Sequence, residues 1–330
     1  MLLTLHTDSV ASLLKPTRKG AKPRLALPDL PAFARQTLDL HGLNITTDLL
    51  AGATRSTLAQ LRERADKERC ACLLLIEPEP MKLASEDDAI GNIGVERARK
   101  VLQAAHILGC NAAAISIDSI DTEDFLDFSV DRIRQIVEFG EKIDMNLLIS
   151  PRKGLTAKPE RVTEMIKKIG GFRVGTFPDF QAAIDSGDAN AYLRKLVPYA
   201  SVISATTVEL TEPEEPVAAK PDKKPKAKQA PTEEPGLEEL EAAEDELDEP
   251  VGDDALRELI DAVMAEDVEE EIPPPEHKPY ELQPLVSTIA SVGFDGTVAV
   301  RYIGKGDKTK GTDLSRWALE HAIGVATAKK

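Results

Sequence analysis

Eight short apolar runs alternate with eight amphipathic stretches in this sequence, and this alternation limits the fold more than any other feature. The apolar runs, which predict strands, span residues 2–5, 43–46, 72–76, 112–117, 146–149, 172–176, 201–205 and 298–302. The amphipathic stretches, which predict helices, span residues 28–38, 57–68, 94–108, 128–143, 159–169, 189–196, 282–292 and 313–326. Alternating strands and helices force a parallel sheet, and eight such units are enough to close a (β/α)8 TIM barrel.

An open, doubly wound sheet is the alternative arrangement of the same units. Its dinucleotide-binding version carries a glycine-rich turn directly after the first strand. The residues that follow Leu5 contain no such turn. The sequence therefore favours the barrel.

A long acidic segment interrupts the alternation before the eighth strand. Residues 212–276 contain ten prolines and 24 Asp and Glu against 6 Lys and Arg, so this stretch has too little apolar surface to offset the entropy of ordering. We predict a mostly disordered insertion over residues 211–279. Residues 1–210 then supply barrel strands 1–7, and residues 280–330 complete the barrel.

One part of the insertion has a helical pattern, over residues 253–268. Five apolar residues fall on one face of that helix, and they are Leu256, Leu259, Ile260, Val263 and Met264. Two interpretations stay open. The stretch is either transiently helical in a solvated linker or a partner-binding helix that folds when it docks.

The net charge of −16 belongs to the insertion, since residues 212–276 alone carry −18. The rest of the chain is near neutral and gives no reason to expect nucleic-acid binding. We find no signal-peptide pattern and no apolar run of the roughly 18 residues that a membrane span needs, so no membrane partner is expected. Cys70, Cys72 and Cys110 are expected to be buried, reduced thiols, and a cytoplasmic protein is the expectation.

In a barrel, function is located at the carboxyl ends of the strands. The fifth strand ends in Ser150, and Arg152 and Lys153 follow it where acid–base or metal chemistry would require an acid or a histidine. The segment NLLISPRKGLTAKPERVTEMIKKIGGFRVGTFPDF and the later FDGTVAVRYIGKGDKTKG resemble the sugar phosphate isomerase/epimerase family of xylose-isomerase-like TIM barrels.

The resemblance implies a divalent metal at the barrel mouth, held by acids and a histidine, and proton transfer on a sugar carbon. The positions that correspond to the family's ligands are Ser150 and Arg152 on the fifth strand, Asp179 on the sixth, Ser204, Thr206 and Thr207 on the seventh, and Arg301 on the eighth. One metal-ligand position of about four is therefore retained, at Asp179. A cation about 4 Å from a divalent ion costs about 8 kcal/mol at an effective dielectric constant near 20, so we expect no metal cofactor.

The substituted positions suggest a cationic mouth that binds a sugar or sugar-phosphate ligand. The expected ligand-binding residues are Arg152, Lys153, Asp179, Arg301 and Lys305, and Asp179 is the best catalytic candidate. The loop at residues 304–311 precedes a helix whose start is also expected to bind anions. In the alternative interpretation, Arg301 pairs with Asp179 as structural filler.

Four further side chains follow strand ends, namely His6, Glu77, Glu79 and Asp118. The two glutamates are the other acids placed to restore a metal site. Three hypotheses follow. In the first, the chain is a non-catalytic barrel that either binds a sugar or anion or acts as a scaffold. In the second, it is an isomerase or epimerase with a rebuilt site in which Asp179 is the base and Arg301 the electrophile. In the third, it is an assembly protein that acts through its insertion.

Overall fold

The computed structural model describes residues 1–16, 18, 22–212 and 272–328. Its strands are β1 Leu2–His6, β2 Gly42–Thr46, β3 Ala71–Ile76, β4 Ala112–Ile115, β5 Asn146–Ile149, β6 Val174–Thr176, β7 Val202–Thr207 and β8 Thr297–Tyr302. Its α-helices are α1 Ala11–Leu14, α2 Leu30–Gln36, α3 Arg55–Lys67, α4 Asp88–Leu108, α5 Glu123–Lys142, α6 Pro159–Ile169, α7 Phe180–Asp185, α8 Ala189–Leu196, α9 Leu282–Ser291 and α10 Lys308–Ala328. All eight predicted strands are present.

The strands form one parallel sheet in the order β6-β5-β4-β3-β2-β1-β8-β7. Two isolated parallel bridges, Thr176 with Ala200 and Asp179 with Ser204, join β6 to β7. The Ser204 amide also donates to the Pro178 carbonyl at 2.9 Å. The predicted TIM barrel is therefore confirmed.

Helix boundaries differ from the predicted ones where a capping residue, rather than the apolar pattern, starts the helix. The Asp87 carboxylate accepts hydrogen bonds from Ala89 and Ile90, and α4 begins six residues before the predicted start. Thr122 caps α5 in the same way, and α5 begins five residues before its predicted start. Short polar caps satisfy the unpaired amides of a first turn even where that turn has no buried face.

Two apolar clusters fill the barrel. The larger lies between the strands and the outer helices. The smaller contains alternate residues of the strands and fills the barrel interior; its members are Leu74, Ile76, Ala112, Ala114, Leu148, Phe177, Val202 and Ala299. The same alternation directs Thr206 and Arg301 to the interior at the carboxyl ends of β7 and β8.

The insertion leaves and re-enters the barrel unit, which comprises Met1–Glu212 and Pro274–Lys330. Residues 211–212 and 272–279 belong to the segment predicted as insertion, yet several pair with the barrel. Leu210 and His277 form an antiparallel bridge, and the Thr211 amide donates to the Glu276 carbonyl at 2.9 Å. None of the described helices is long and apolar enough to cross a membrane.

Candidate functional site

Arg301 lies at the mouth of the barrel, held from two sides. Its Nε and Nη2 donate to Asp8 Oδ2 at 3.0 and 2.7 Å, and its Nη1 donates to Thr206 Oγ1 at 3.5 Å. Thr206 and Arg301 are register partners on β7 and β8, and Asp8 follows β1, the other neighbour of β8. Three adjacent strands therefore orient one guanidinium group, whose side chain is 33% exposed.

Asp179 joins the same network through Thr206. The Thr206 hydroxyl donates to Asp179 Oδ2 at 2.5 Å, and Asp179 Oδ1 accepts from the amides of Gln181 and Ala182 at 2.9 and 3.2 Å. Asp179 is thus the N-cap of α7, a six-residue helix that the apolar pattern did not predict. Asp8, Arg301, Thr206 and Asp179 are called the mouth network below.

The alternative interpretation, in which Arg301 pairs directly with Asp179, is wrong. The ion-pair partner of Arg301 is Asp8, and Thr206 separates Arg301 from Asp179. Asp8 was not predicted as a site residue. The sequence feature that could have indicated Asp8 is its position two residues after β1, because β1 and β8 become neighbours when the barrel closes.

His6 is buried at the end of β1, beside the mouth network. Its Nδ1 accepts from the Asp8 amide at 3.2 Å, and its ring stacks on Phe177 with ring centroids 6.5 Å apart. Burial lowers the pKa of His6 to about 4; nearby Asp8 acts against this shift and Arg301 adds to it. His6 is therefore neutral near pH 7, with its proton on Nε2, because Nδ1 acts as an acceptor.

The loop after β5 fixes the backbone of Arg152. The Thr156 hydroxyl bonds the Arg152 amide at 3.1 Å and the Arg152 carbonyl at 3.3 Å. Arg152 is half-buried and Lys153 is exposed, and no ion pair joins either to a described carboxylate. Both are positioned at the carboxyl end of β5, as predicted, without entering the mouth network.

Lys305 lies away from that network. It is exposed in the loop after β8, where this loop and the residues after β7 line a separate cavity of about 730 Å³. The expected anion site at the start of α10 is already capped, since Asp307 Oδ1 accepts from the Lys310 amide at 2.8 Å. Lys310 itself pairs with Glu212 at 2.7 Å.

The other acids that follow strand ends, Glu77, Glu79 and Asp118, do not form a common site. Glu77 Oε1 accepts from Arg97 Nη2 at 2.9 Å and from the Glu79 amide at 3.0 Å, whereas Glu79 and Asp118 are exposed. No group of three or more His, Cys, Asp or Glu arranged to hold a metal occurs in the described part of the chain. The three cysteines are buried, and burial raises the pKa of the Cys70 and Cys72 thiols to about 12.

The predicted partner-binding face consists of Leu256, Leu259, Ile260, Val263 and Met264. These residues lie outside the described part of the chain. The partner-binding helix stays a prediction.

Comparison with solved structures identifies the barrel type. An L-ribulose 3-epimerase structure matches with a TM-score of 0.67 at 10% identity over 100% of this chain and 97% of that chain. A D-tagatose 3-epimerase-like protein matches with a TM-score of 0.62 at 14% identity over 100% and 99%. A xylose isomerase domain protein from Alicyclobacillus acidocaldarius subsp. acidocaldarius matches with a TM-score of 0.59 at 15% identity over 99% of each chain.

At these identities the likeness concerns the fold, and it confirms the xylose-isomerase-like barrel. No protein-family model matches the chain. No curated protein sequence matches it either.

Proposed function

We propose that this xylose-isomerase-like barrel binds a small anionic or sugar-like ligand at its mouth, without a divalent metal and without the chemistry that such a metal supports. The observation that carries the proposal is the bonding of Arg301. A guanidinium group has five N–H donors. Two of the N–H groups of Arg301 donate to Asp8, and one donates to Thr206. Two N–H groups are left for ligand oxygens, among the described residues.

The donor set of the mouth does not fit a divalent cation. Both oxygens of Asp179 accept hydrogen bonds, and Asp8 Oδ2 accepts two from Arg301. A hard cation needs several anionic oxygens that are free to coordinate, and Arg301 would repel it. Guanidinium binds phosphate or carboxylate oxygens directly, so this arrangement favours an anionic ligand.

Thermal shift with inorganic phosphate and a panel of sugar phosphates tests the proposal. A ligand at about 100 times its Kd adds about 2.7 kcal/mol to the free energy of unfolding. For a barrel of this size that gain raises Tm by roughly 5 to 10 °C. We expect Arg301→Met to lose this shift, because methionine keeps the aliphatic volume and removes the N–H donors.

The matched control is Arg173→Met. Arg173 is also a partly exposed arginine paired with an aspartate, Asp144 at 2.5 Å, but it lies at the amino end of β6. This variant should respond to ligand as the unaltered protein does. If Arg301→Met keeps the full shift, or if no anion or sugar phosphate produces one, the mouth is not a binding site of this kind.

A metal-independent isomerase or epimerase is the second candidate, and His6 favours it. Neutral His6 has a proton on Nε2, and together with Arg301 it supplies hydrogen-bond donors that would stabilise an enediolate oxygen. Asp179 is a poorer base than the sequence suggested, because three hydrogen bonds already occupy its carboxylate. Deuterium uptake from D2O into aldoses or ketoses, followed by NMR, would reveal such turnover, and its absence across the panel would favour simple binding.

Association with a protein partner through the acidic insertion is the third hypothesis, and it stays a prediction. Deleting residues 213–271 removes the predicted partner face and leaves the paired residues on either side. We expect the deletion to leave barrel stability nearly unchanged, since loop closure depends only weakly on length. Loss of association with the deletion would support this hypothesis, whereas unfolding of the barrel would contradict it.

A further inference from the structure

The two ends of the insertion are joined by a short antiparallel pairing centred on His277. The Thr211 amide donates to the Glu276 carbonyl and the Lys278 amide to the Glu209 carbonyl, both at 2.9 Å. The side chains of Lys278 and Glu209 also pair, at 2.5 Å. His277 itself is 7% exposed, so it lies inside this pairing rather than on its surface.

Both ring nitrogens of His277 have partners, and the partners are of different kinds. Nε2 accepts from the Val208 amide at 3.0 Å, and Nδ1 lies 2.9 Å from the Tyr280 carbonyl, to which it donates. A neutral imidazole fits this pattern because it has one donor and one acceptor. A protonated imidazole has two donors, so it would lose the Val208 bond and leave that amide without an acceptor.

Among the described residues, no carboxylate lies within ion-pair distance of the His277 ring. The charged and titratable groups near it are Glu276 and Lys278 on either side, Glu209 across the pairing, and Tyr280 in edge contact with ring centroids 4.3 Å apart. Glu281, which precedes α9, and His321 of α10 line a cavity that His277 also lines. No ion pair joins His277 to any described acid; Glu209 pairs with Lys278 instead. Burial lowers the pKa of His277, in agreement with this geometry.

We propose that His277 is a pH-sensitive latch that holds the two ends of the insertion together when its ring is neutral and releases them when the ring is protonated. The latch comprises the Val208 amide, the His277 ring and the Tyr280 carbonyl. Above pH 6.5 His277 is neutral in both the closed and the open latch, and the closed form is then most stable relative to the open form. Below pH 6.5 the open form takes up a proton that the closed form resists, so closure weakens until the pH reaches the pKa of the closed form.

The latch borders the mouth network. The Tyr280 hydroxyl donates to the Thr206 carbonyl, and the Thr206 side chain bonds both Asp179 and Arg301. Acidification therefore acts at the point where the insertion joins the mouth of the barrel. This inference does not depend on the proposed ligand.

Hydrogen exchange of the Val208 amide in the full chain tests the latch. We expect its protection factor, corrected for the intrinsic exchange rate, to fall several-fold between pH 7.0 and pH 5.5, by up to about tenfold per pH unit below 6.5. The Leu147 amide, which donates to the Arg173 carbonyl at 2.8 Å in the barrel wall, should keep its protection. Equal losses at Val208 and Leu147 would mean that the whole barrel opens and would overturn the latch.

His277→Gln supplies the matched variant, because glutamine keeps an acceptor and does not titrate. Its Val208 protection should be independent of pH, whereas His321→Gln should retain the full pH dependence. Direct NMR titration of His277 in the unaltered protein decides the question even if the variant does not fold. A pKa of 6.5 or above for His277, or the same pH-dependent loss in His277→Gln, would contradict the proposal.

Discussion

Replacing Gly154 with alanine is expected to lower the free energy of unfolding by about 3 kcal/mol. Gly154 has φ +105°, a conformation that only glycine adopts readily, and strain there costs about 1–3 kcal/mol. The added Cβ would also lie 1.9 Å from the Ser119 carbonyl oxygen. That oxygen has little freedom to move, because it accepts from the Leu155 amide at 3.1 Å, and overpacking adds a further 1–3 kcal/mol.

The same change should disturb ligand binding, since Gly154 lies in the loop that holds Arg152 and Lys153. Urea unfolding measures the loss of stability. Gly324→Ala is the control: this glycine lies within α10 with open space around its Cβ position, so alanine should stabilise the helix by about 0.5–1 kcal/mol. A Gly154→Ala variant within about 0.5 kcal/mol of the unaltered protein would show that the loop relaxes freely and does not fix Arg152.

The stability of the barrel is expected to fall by about 3 kcal/mol between pH 6.5 and pH 4 through His6 alone. The folded-state pKa of His6 is about 4, below the ordinary value of 6.5. Above pH 6.5 neither state is protonated and the contribution of His6 is constant. Between pH 6.5 and pH 4 the unfolded chain binds a proton that the folded barrel excludes, which costs about 1.4 kcal/mol per pH unit.

Urea unfolding of His6→Gln at several pH values isolates this contribution. The variant should lose about 3 kcal/mol less than the unaltered protein over the same pH range, because glutamine does not titrate. The control is His41→Gln, which replaces a histidine whose side chain is 40% exposed rather than buried. Parallel profiles for His6→Gln and the unaltered protein would contradict the buried, neutral state of His6.

The strands were predictable because each contains a short apolar run, and a parallel sheet buries such runs on both of its faces. Helix α7 was not, because its six residues are too few for a periodic pattern and its start depends on one cap, Asp179. The resemblance to the sugar phosphate isomerase/epimerase family implied a metal-ligand role for Asp179, whereas its local role as an N-cap became visible only in three dimensions.

The contacts of the mouth network could not be predicted either, because they join residues that are distant in the sequence. Arg301 was predicted from its position on the eighth strand, but its partner Asp8 is 293 positions away in the sequence. No local pattern links the two, and only closure of the barrel brings β1 beside β8. The buried position of His277 was not predicted for a different reason. This residue lies in a proline-rich stretch whose composition resembles that of the whole insertion.

We propose that the mouth network takes the place of a divalent metal. Calorimetric titration of the metal-stripped protein with Mn²⁺, Zn²⁺ and Mg²⁺, together with metal analysis of the protein as purified, tests this most directly. We predict less than stoichiometric metal after purification and no saturable binding at the mouth. Tight binding of one metal ion per chain that Asp179→Ala or Asp8→Asn abolishes would contradict the account and support a metal-dependent isomerase or epimerase.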